Sequence, residues 1–332
     1  MKKTNILFTA AVLSALMVSA SSAQENDSVR ITALKGPTAM GLVSFMDDAD
    51  QGLISDYAYD FSIAASADEV TPSLVQGNID IAAVPANLAS VLYNNTDGSV
   101  EVLAINTLGV LYIVEKGDTI SSVEDLRNRT IYASGKGATP EYALNYLLSE
   151  NGLDPDTDVT IEWKSEHTEC LSALIASEDG IAMLPQPFVT TAQMKEPSIR
   201  TALDLTSQWD LLQQDSAQPS AMITGVMVVR KEFADEQPDA VDDFLNHYRE
   251  SVAYVNENPE EASSLIEQYD IAPAAVAAKA IPACNITCIT GSEMHEKLSG
   301  YLSVLLEQNP KSVGGALPGD DFYYNGSLTA AE

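Results

Sequence analysis

Nine residues, SGKGATPEY at 134–142, gather a serine, a lysine, a threonine and a glutamate around two glycines. They follow a short apolar run, RTIYA, and precede a helical pattern, ALNYLLSEN. Such a turn can hold a polar ligand, because the first N–H groups of a helix have no partner within it. Spacing excludes two nucleotide chemistries. A phosphate-binding P-loop needs GxxxxGK[ST], and Gly135-Lys136-Gly137 lacks both the upstream glycine and the hydroxyl after the lysine. A dinucleotide GxGxxG fails at Thr139-Pro140. Thr139 is expected to cap the helix, Pro140 to take its first position and Glu141 to sit at its positive end. On these residues alone the turn is either a ligand cradle or an ordinary capped helix start.

Other chemistry finds less support. His167, His247 and His295 are scattered, with no HExxH, paired CxxC or GxSxG, so no metal set, cofactor or catalytic residue is expected. Cys170 falls on a helical pattern, ECLSALIAS. Cys284 and Cys288 enclose Asn-Ile-Thr; if that piece is extended their Cα atoms stand ~13 Å apart, too far for a disulfide.

The elements that must position the turn appear twice. Ile81–Leu88 reads IAAVPANL, and one hundred residues later Ile181–Phe188 reads IAMLPQPF. Fifty residues before each, ITAL at 31–34 leads into KGPTAMG and a helix, and IYAS at 131–134 leads into GKGATPEY and a helix. Each half is therefore strand, Gly/Pro turn, helix, then a strand closing on a proline turn. The chain is α/β: two similar doubly wound lobes, each with a mostly parallel sheet and helices on both faces. In such sheets ligands sit beyond the carboxyl ends of the strands, where KGPT, PAN, SGKGAT and PQPF fall. Two further β-rich segments, GVLYIVEK at 109–116 and GVMVVRK at 225–231, bracket the second half. They mark two crossings, which divide the chain into lobe one (24–108 plus 224–332) and lobe two (109–223). The mostly helical last third pads lobe one, and its Gly/Pro-rich tail is expected to be a surface strap.

Residues 1–23 read as a secretory signal: a basic MKK start, an apolar core and small residues at a cleavage point after Ala23. No cysteine follows the apolar run for lipid anchoring. Cleavage leaves 309 residues, 332 less 23, enough for two lobes. Removing Lys2 and Lys3 from 17 basic residues leaves 15 against 48 acidic, a formal charge of −33, which argues against nucleic-acid binding.

An exported two-lobe chain with GNIDIAAVP in one lobe, VEDLRNRTIYASGKGATPEY entering the other and GVMVVRKEF on the return resembles the ABC-transporter solute-binding proteins. The most similar branch serves nitrate, sulfonates, taurine and thiamine-precursor pyrimidines. The resemblance spans nearly the whole expected mature chain and implies the type II periplasmic-binding-protein fold, with a ligand cleft between the lobes. It implies a binding module without catalysis, acting as a periplasmic monomer that delivers a small solute to a permease and its ATPase. A related pyrimidine-synthesising branch carries a cysteine-rich motif absent here.

Carried over by position, the resemblance assigns solute contacts to Thr38, Ala39 and Met40 at the first helix and to Ala86 and Asn87 after Pro85. It adds Ser134, Gly137, Ala138 and Thr139 in the opening turn, Gln186 and Phe188 after Pro185, and Thr107 and Thr224 near the crossings. Met40 and Phe188 serve equally well as core, and Asn87 as a cap for its own helix. The competing functions are a ligand-sensing co-receptor, with identical binding chemistry, and an exported hydrolase using Ser134 or His167. Intact-mass analysis of the exported protein should show a chain beginning at Gln24; a retained leader or a lipid adduct contradicts the export reading.

Overall fold

The computed structural model describes residues 28–214 and 220–326, so the expected leader lies outside the described residues. Among the described residues there are eleven strands: β1 (Val29–Leu34), β2 (Tyr59–Ala64), β3 (Ile81–Pro85), β4 (Val100–Leu108), β5 (Leu111–Lys116), β6 (Thr130–Ser134), β7 (Thr160–Lys164), β8 (Ile181–Pro185), β9 (Ile199–Asp204), β10 (Ile223–Arg230) and β11 (Ile286–Ile289). They form two sheets, ordered β11-β4-β10-β3-β1-β2 and β7-β6-β8-β5-β9.

The hundred-residue repeat is a repeat of strand register. Ile31 stands opposite Phe61 and Ile81, and Ile131 stands opposite Ile161 and Ile181. In each sheet a strand from a crossing segment is inserted between the third and fourth strands of the repeat: β10 in sheet one and β5 in sheet two. These are the GVMVVRK and GVLYIVEK segments. The alternation of sequence elements suggests mostly parallel sheets, but both are mixed. β1–β2, β1–β3, β6–β7 and β6–β8 are parallel, whereas every pairing of β5, β10 and β11 is antiparallel. The reason is where the crossings enter. Leu111 begins β5 opposite Pro185, the last residue of β8, and Ile223 begins β10 opposite Leu108, the last residue of β4. A strand that enters at the end where its neighbours finish must run against them.

Helices cover both faces. On one side of sheet one, Met40, Phe45, Phe244 and Tyr248 pack against Ala83, Ala104 and Met227. On the other side, Val102, Ile105 and Val226 share a core with Ile113, Met183, Leu147 and Trp209 of the second half. A third cluster, with Val114, Cys170, Leu174 and Val189, covers the far face of sheet two. The helix Leu205–Gln213 lies between the sheets in sequence, so the return to sheet one is longer than the GVMVVRK segment alone indicates. Its Trp209 is fully buried, between the rings of Tyr146 at 4.6 Å and Tyr301 at 5.6 Å, and donates its indole N–H to Ser220 Oγ at 2.9 Å.

The last third is helical at Pro238–Glu257, Pro259–Gln268, Ala274–Ala280 and Gly291–Gln308, as its amphipathic pattern predicts. β11 is an addition that the sequence reading did not foresee. It extends sheet one at β4 and contains Cys288; Cys284 lies just before it, and both are free thiols. The Gly/Pro-rich tail straps sheet one, with Ser312 and Val313 carbonyls accepting from Asn87, Ser90 and Asn94.

Asp80 and Glu115 are buried carboxylates at the strand ends away from the turns. Asp80, 2% exposed, accepts from the Arg30 backbone and guanidinium and from Arg230. Burial alone would raise its pKa, but these hydrogen bonds outweigh it and hold the carboxyl below its ordinary 3.8. Glu115 is likewise buried; the Ile120 and Thr119 backbone, the Thr119 hydroxyl and Arg200 hold it below 4.5. A depressed carboxylate contributes stability that is complete above its unfolded pKa and is lost as pH falls through the folded one. Urea midpoints should therefore stay level from about pH 8 to about pH 5 and fall below about pH 4. Asp80→Asn should flatten part of that fall, and an unchanged acid profile in the variant would contradict the assignment.

Candidate functional site

The carboxyl ends of β1, β3 and β4 and the start of β10 meet at one rim of sheet one. After β1 the chain turns at Lys35-Gly36 into the short helix Pro37–Met40, whose Thr38 hydroxyl donates back to the Leu34 carbonyl at 2.9 Å. Asn106 Nδ2 donates to the Thr38 carbonyl at 3.3 Å. Gly225 lies against both: a Cβ there would stand 2.6 Å from Asn106 Oδ1 and 2.6 Å from Thr38 Cγ2, so only glycine permits this approach. After β3, Asn87 opens the helix Ala86–Asn95 and donates to the Ser312 carbonyl at 3.2 Å.

The matching rim of sheet two carries the SGKGATPEY turn. The helix Thr139–Glu150 has Ala138 as its N-cap residue, with no side-chain cap bond, so Thr139 is its first residue and not its cap. Glu141 satisfies the turn instead, its carboxylate accepting from the Gly137 N–H at 2.6 Å. The Thr139 hydroxyl is thereby left to reach across to sheet one, where it donates to Asn87 Oδ1 at 3.1 Å. Asn87 is thus a bridge between the strap and the second rim, not a cap for its own helix.

Ser134 Oγ lies 2.6 Å from His167 Nδ1, a pairing that their sequence separation conceals. His167 begins the helix His167–Ala176 after β7. Burial lowers its pKa below the ordinary 6.5, with Glu166 opposing, so the ring is neutral at pH 7 and offers one donor and one acceptor nitrogen. Phe188 lies beside it, ring centroids 5.0 Å apart. The Glu166 carboxylate accepts from the Thr168 hydroxyl at 3.2 Å. Gln186 Oε1 accepts from Thr190 N–H and Oγ1, fastening the start of the helix Phe188–Lys195.

The structure sorts the sequence-predicted residues into three groups. Thr38, Asn87, Thr107, Ser134, Thr139 and Gln186 are buried polar groups on the two rims. Ala39, Met40 and Ala86 are fully buried in the cores beneath them, which gives Met40 a packing role. Gly137 is exposed, Ala138 and Thr224 are intermediate, and Phe188 packs beside the sheet-two core. The sequence reading did not place Asn106, and it considered His167 only as a hydrolase residue. Extending the hundred-residue repeat to its second strand marks His167, which matches Ala67 at the start of Ala67–Val75. The buried rim residues named here carry no formal charge. Among the described residues no group of three or more His, Cys, Asp or Glu could hold a metal, and no helix is long and apolar enough to cross a membrane.

Three solved structures share this architecture at identities that establish the fold alone. An ABC transporter protein from Parabacteroides distasonis is 21% identical, with a TM-score of 0.75 over 90% of this chain and 99% of that one. The periplasmic aliphatic sulphonate-binding protein SsuA from Escherichia coli is 14% identical, with a TM-score of 0.69 over 90% and 92%. The periplasmic nitrate-binding protein NrtA from Synechocystis is 16% identical, with a TM-score of 0.55 over 77% and 70%. No curated protein matches the chain. The family model described as ABC transporter, phosphonate, periplasmic substrate-binding protein matches residues 45–280, well over half of the sequence. With its two mixed sheets and facing polar rims, the chain belongs to this family of periplasmic substrate-binding proteins, which are binding components of ABC importers and not enzymes.

Proposed function

We propose that this protein binds one small solute between the two rims and delivers it to a membrane permease driven by an ATPase. The Asn87–Thr139 hydrogen bond carries this reading. It joins residues at the carboxyl ends of strands in different sheets, the place where open α/β sheets take ligands. On this reading each sheet marks a lobe, divided at 108/109 and 223/224, and the solute joins the lobes as a clamp. The sulphonate- and nitrate-binding neighbours and the phosphonate family description support a small polar solute of that general kind, and the resemblance of the sequence adds a pyrimidine-type heterocycle to the range.

The energetics suit a closed cleft. Micromolar affinity requires about 8 kcal/mol, and one hydrogen bond contributes roughly 0.5–1.5 kcal/mol. Several rim groups must therefore act together, which they can do only when both lobes are in reach. Ser134 paired with neutral His167 supplies a positioned polar pair, and the Phe188 ring an apolar wall.

Two outcomes are expected. Small-angle scattering should show a smaller radius of gyration when solute is added. Asn87→Ala, which loses both the strap and the second rim, should reduce that compaction and weaken binding by roughly 10-fold, with the circular dichroism unchanged. A scattering curve unmoved by saturating solute, in a free protein that is not already closed, contradicts the clamp. Because His167 is held neutral by burial, affinity should be level between about pH 7 and pH 8 and change only below its ordinary value of 6.5. Calorimetry across that range checks it, and a steep change between pH 7 and pH 8 would place a different titrating group in the site.

A further inference from the structure

By chain order the helix Gly291–Gln308 belongs to lobe one, where it rests on β4 and on the helix Ala86–Asn95. Its Tyr301 nevertheless reaches into lobe two. That ring is fully buried, 5.6 Å from the ring of Trp209, which in turn lies 4.6 Å from Tyr146. Trp209 and Tyr146 stand on the helices Leu205–Gln213 and Thr139–Glu150, both of lobe two. Leu298, Leu302 and Leu305 belong to the same continuous core, which takes residues from both sheets.

The opposite face of the molecule is built differently. The buried residues of the cluster around Phe244 and Tyr248 lie in lobe one, and those of the cluster around Cys170 and Val189 lie in lobe two. Ala283 packs across from the first lobe to the second cluster, and its carbonyl accepts from the Tyr112 hydroxyl at 3.0 Å. When lobes part, such a hydrogen bond is exchanged for one to water at small net cost. So is the bond between Thr139 and Asn87. The aromatic row has no such replacement. Each of its rings has roughly 150–250 Å² to bury, and separating them would return that apolar surface to water.

The row is also continuous with the crossings. Trp209 is one helical turn from Thr206, which lies against Gly109 of the first crossing. The Trp209 indole N–H is held by Ser220 Oγ at 2.9 Å, just before β10 on the return.

We propose that the Tyr146–Trp209–Tyr301 row is a standing joint of the clamp. The helix Gly291–Gln308 keeps its seat on lobe two when the cleft opens, and the lobes turn about this row and the crossings together, not about the crossing strands alone. The rims part and the row does not. This rests on the two-lobe reading above and adds to it where the fixed side lies.

The test needs no solute. In the free Trp163→Phe protein the remaining tryptophan is Trp209. Small-angle scattering should give a radius of gyration larger than that of the closed arrangement described above. In the same sample Trp209 should keep a blue-shifted emission and be quenched by acrylamide several-fold less than free tryptophan. Tyr301→Ala in this background should raise the quenching several-fold, and Tyr301→Phe, which keeps the ring, should leave it unchanged. Circular dichroism checks folding; if Tyr301→Ala does not fold, scattering and quenching of the Trp163→Phe protein decide alone. An extended free protein with a red-shifted, readily quenched Trp209 overturns the joint while the clamp stands. A folded Tyr301→Ala protein quenched no more than its parent overturns it as well. A free protein as compact as the closed arrangement has no opening for a joint to direct; the proposal then falls, and the clamp is left to the solute titration.

Discussion

Polar groups at the ends of two sheets cannot be closed over one another without each finding a partner. That constraint governs this molecule. Thr38, Asn87, Asn106, Thr107, Ser134, Thr139 and Gln186 are all removed from water where the rims meet. Their hydrogen bonds therefore fix the local architecture: Thr38 to its own strand, Asn87 to the strap and to Thr139, Ser134 to His167, Gln186 to Thr190. Among the described residues, Asn106 Oδ1 and Thr107 Oγ1, neighbours near the end of β4, find no hydrogen-bond partner. A binding protein needs this combination. Rim groups with protein partners hold the site in shape.

The crossings make such a closure possible without scrambling the sheets. Each inserted strand enters from the cleft side and runs against its neighbours, so the link between lobes lies at the rim and not at the far ends. The two crossings touch there. A Cβ at Gly109 would stand 2.1 Å from Thr206 Oγ1 and 2.4 Å from Met222 Cε, so the first crossing passes directly against the second. Asn285 adds a third thread, donating to the Gly109 carbonyl at 2.5 Å just before β11. The ion pairs of Asp80 and Glu115 sit at the opposite strand ends, where they stabilise each sheet without bearing on the cleft.

Much of this was legible in the sequence, because repeated strand–turn–helix order survives where individual residues drift. The IAAVP and IAMLP runs, one hundred residues apart, became β3 and β8 in matching register. The turns were correctly located, but the atoms within them were not. Thr139 reads as a cap because Ser, Thr, Asp and Asn favour that position; here Glu141 takes the turn N–H and the threonine hydroxyl goes to another lobe. The parallel-sheet expectation missed that inserted strands reverse direction. Asn106 was invisible for a different reason. It lies on a buried strand, INTL, with no Gly or Pro to mark a turn, and only the fold brings it against Thr38 and Gly225.

A crystal structure of the protein grown with a solute that it binds in solution would test the account most directly. The account predicts the solute between the rims, in contact with Asn87 or Asn106 from sheet one and with Ser134, Thr139 or His167 from sheet two. A solute bound to one sheet alone, or at a surface remote from the carboxyl ends of the strands, would contradict it.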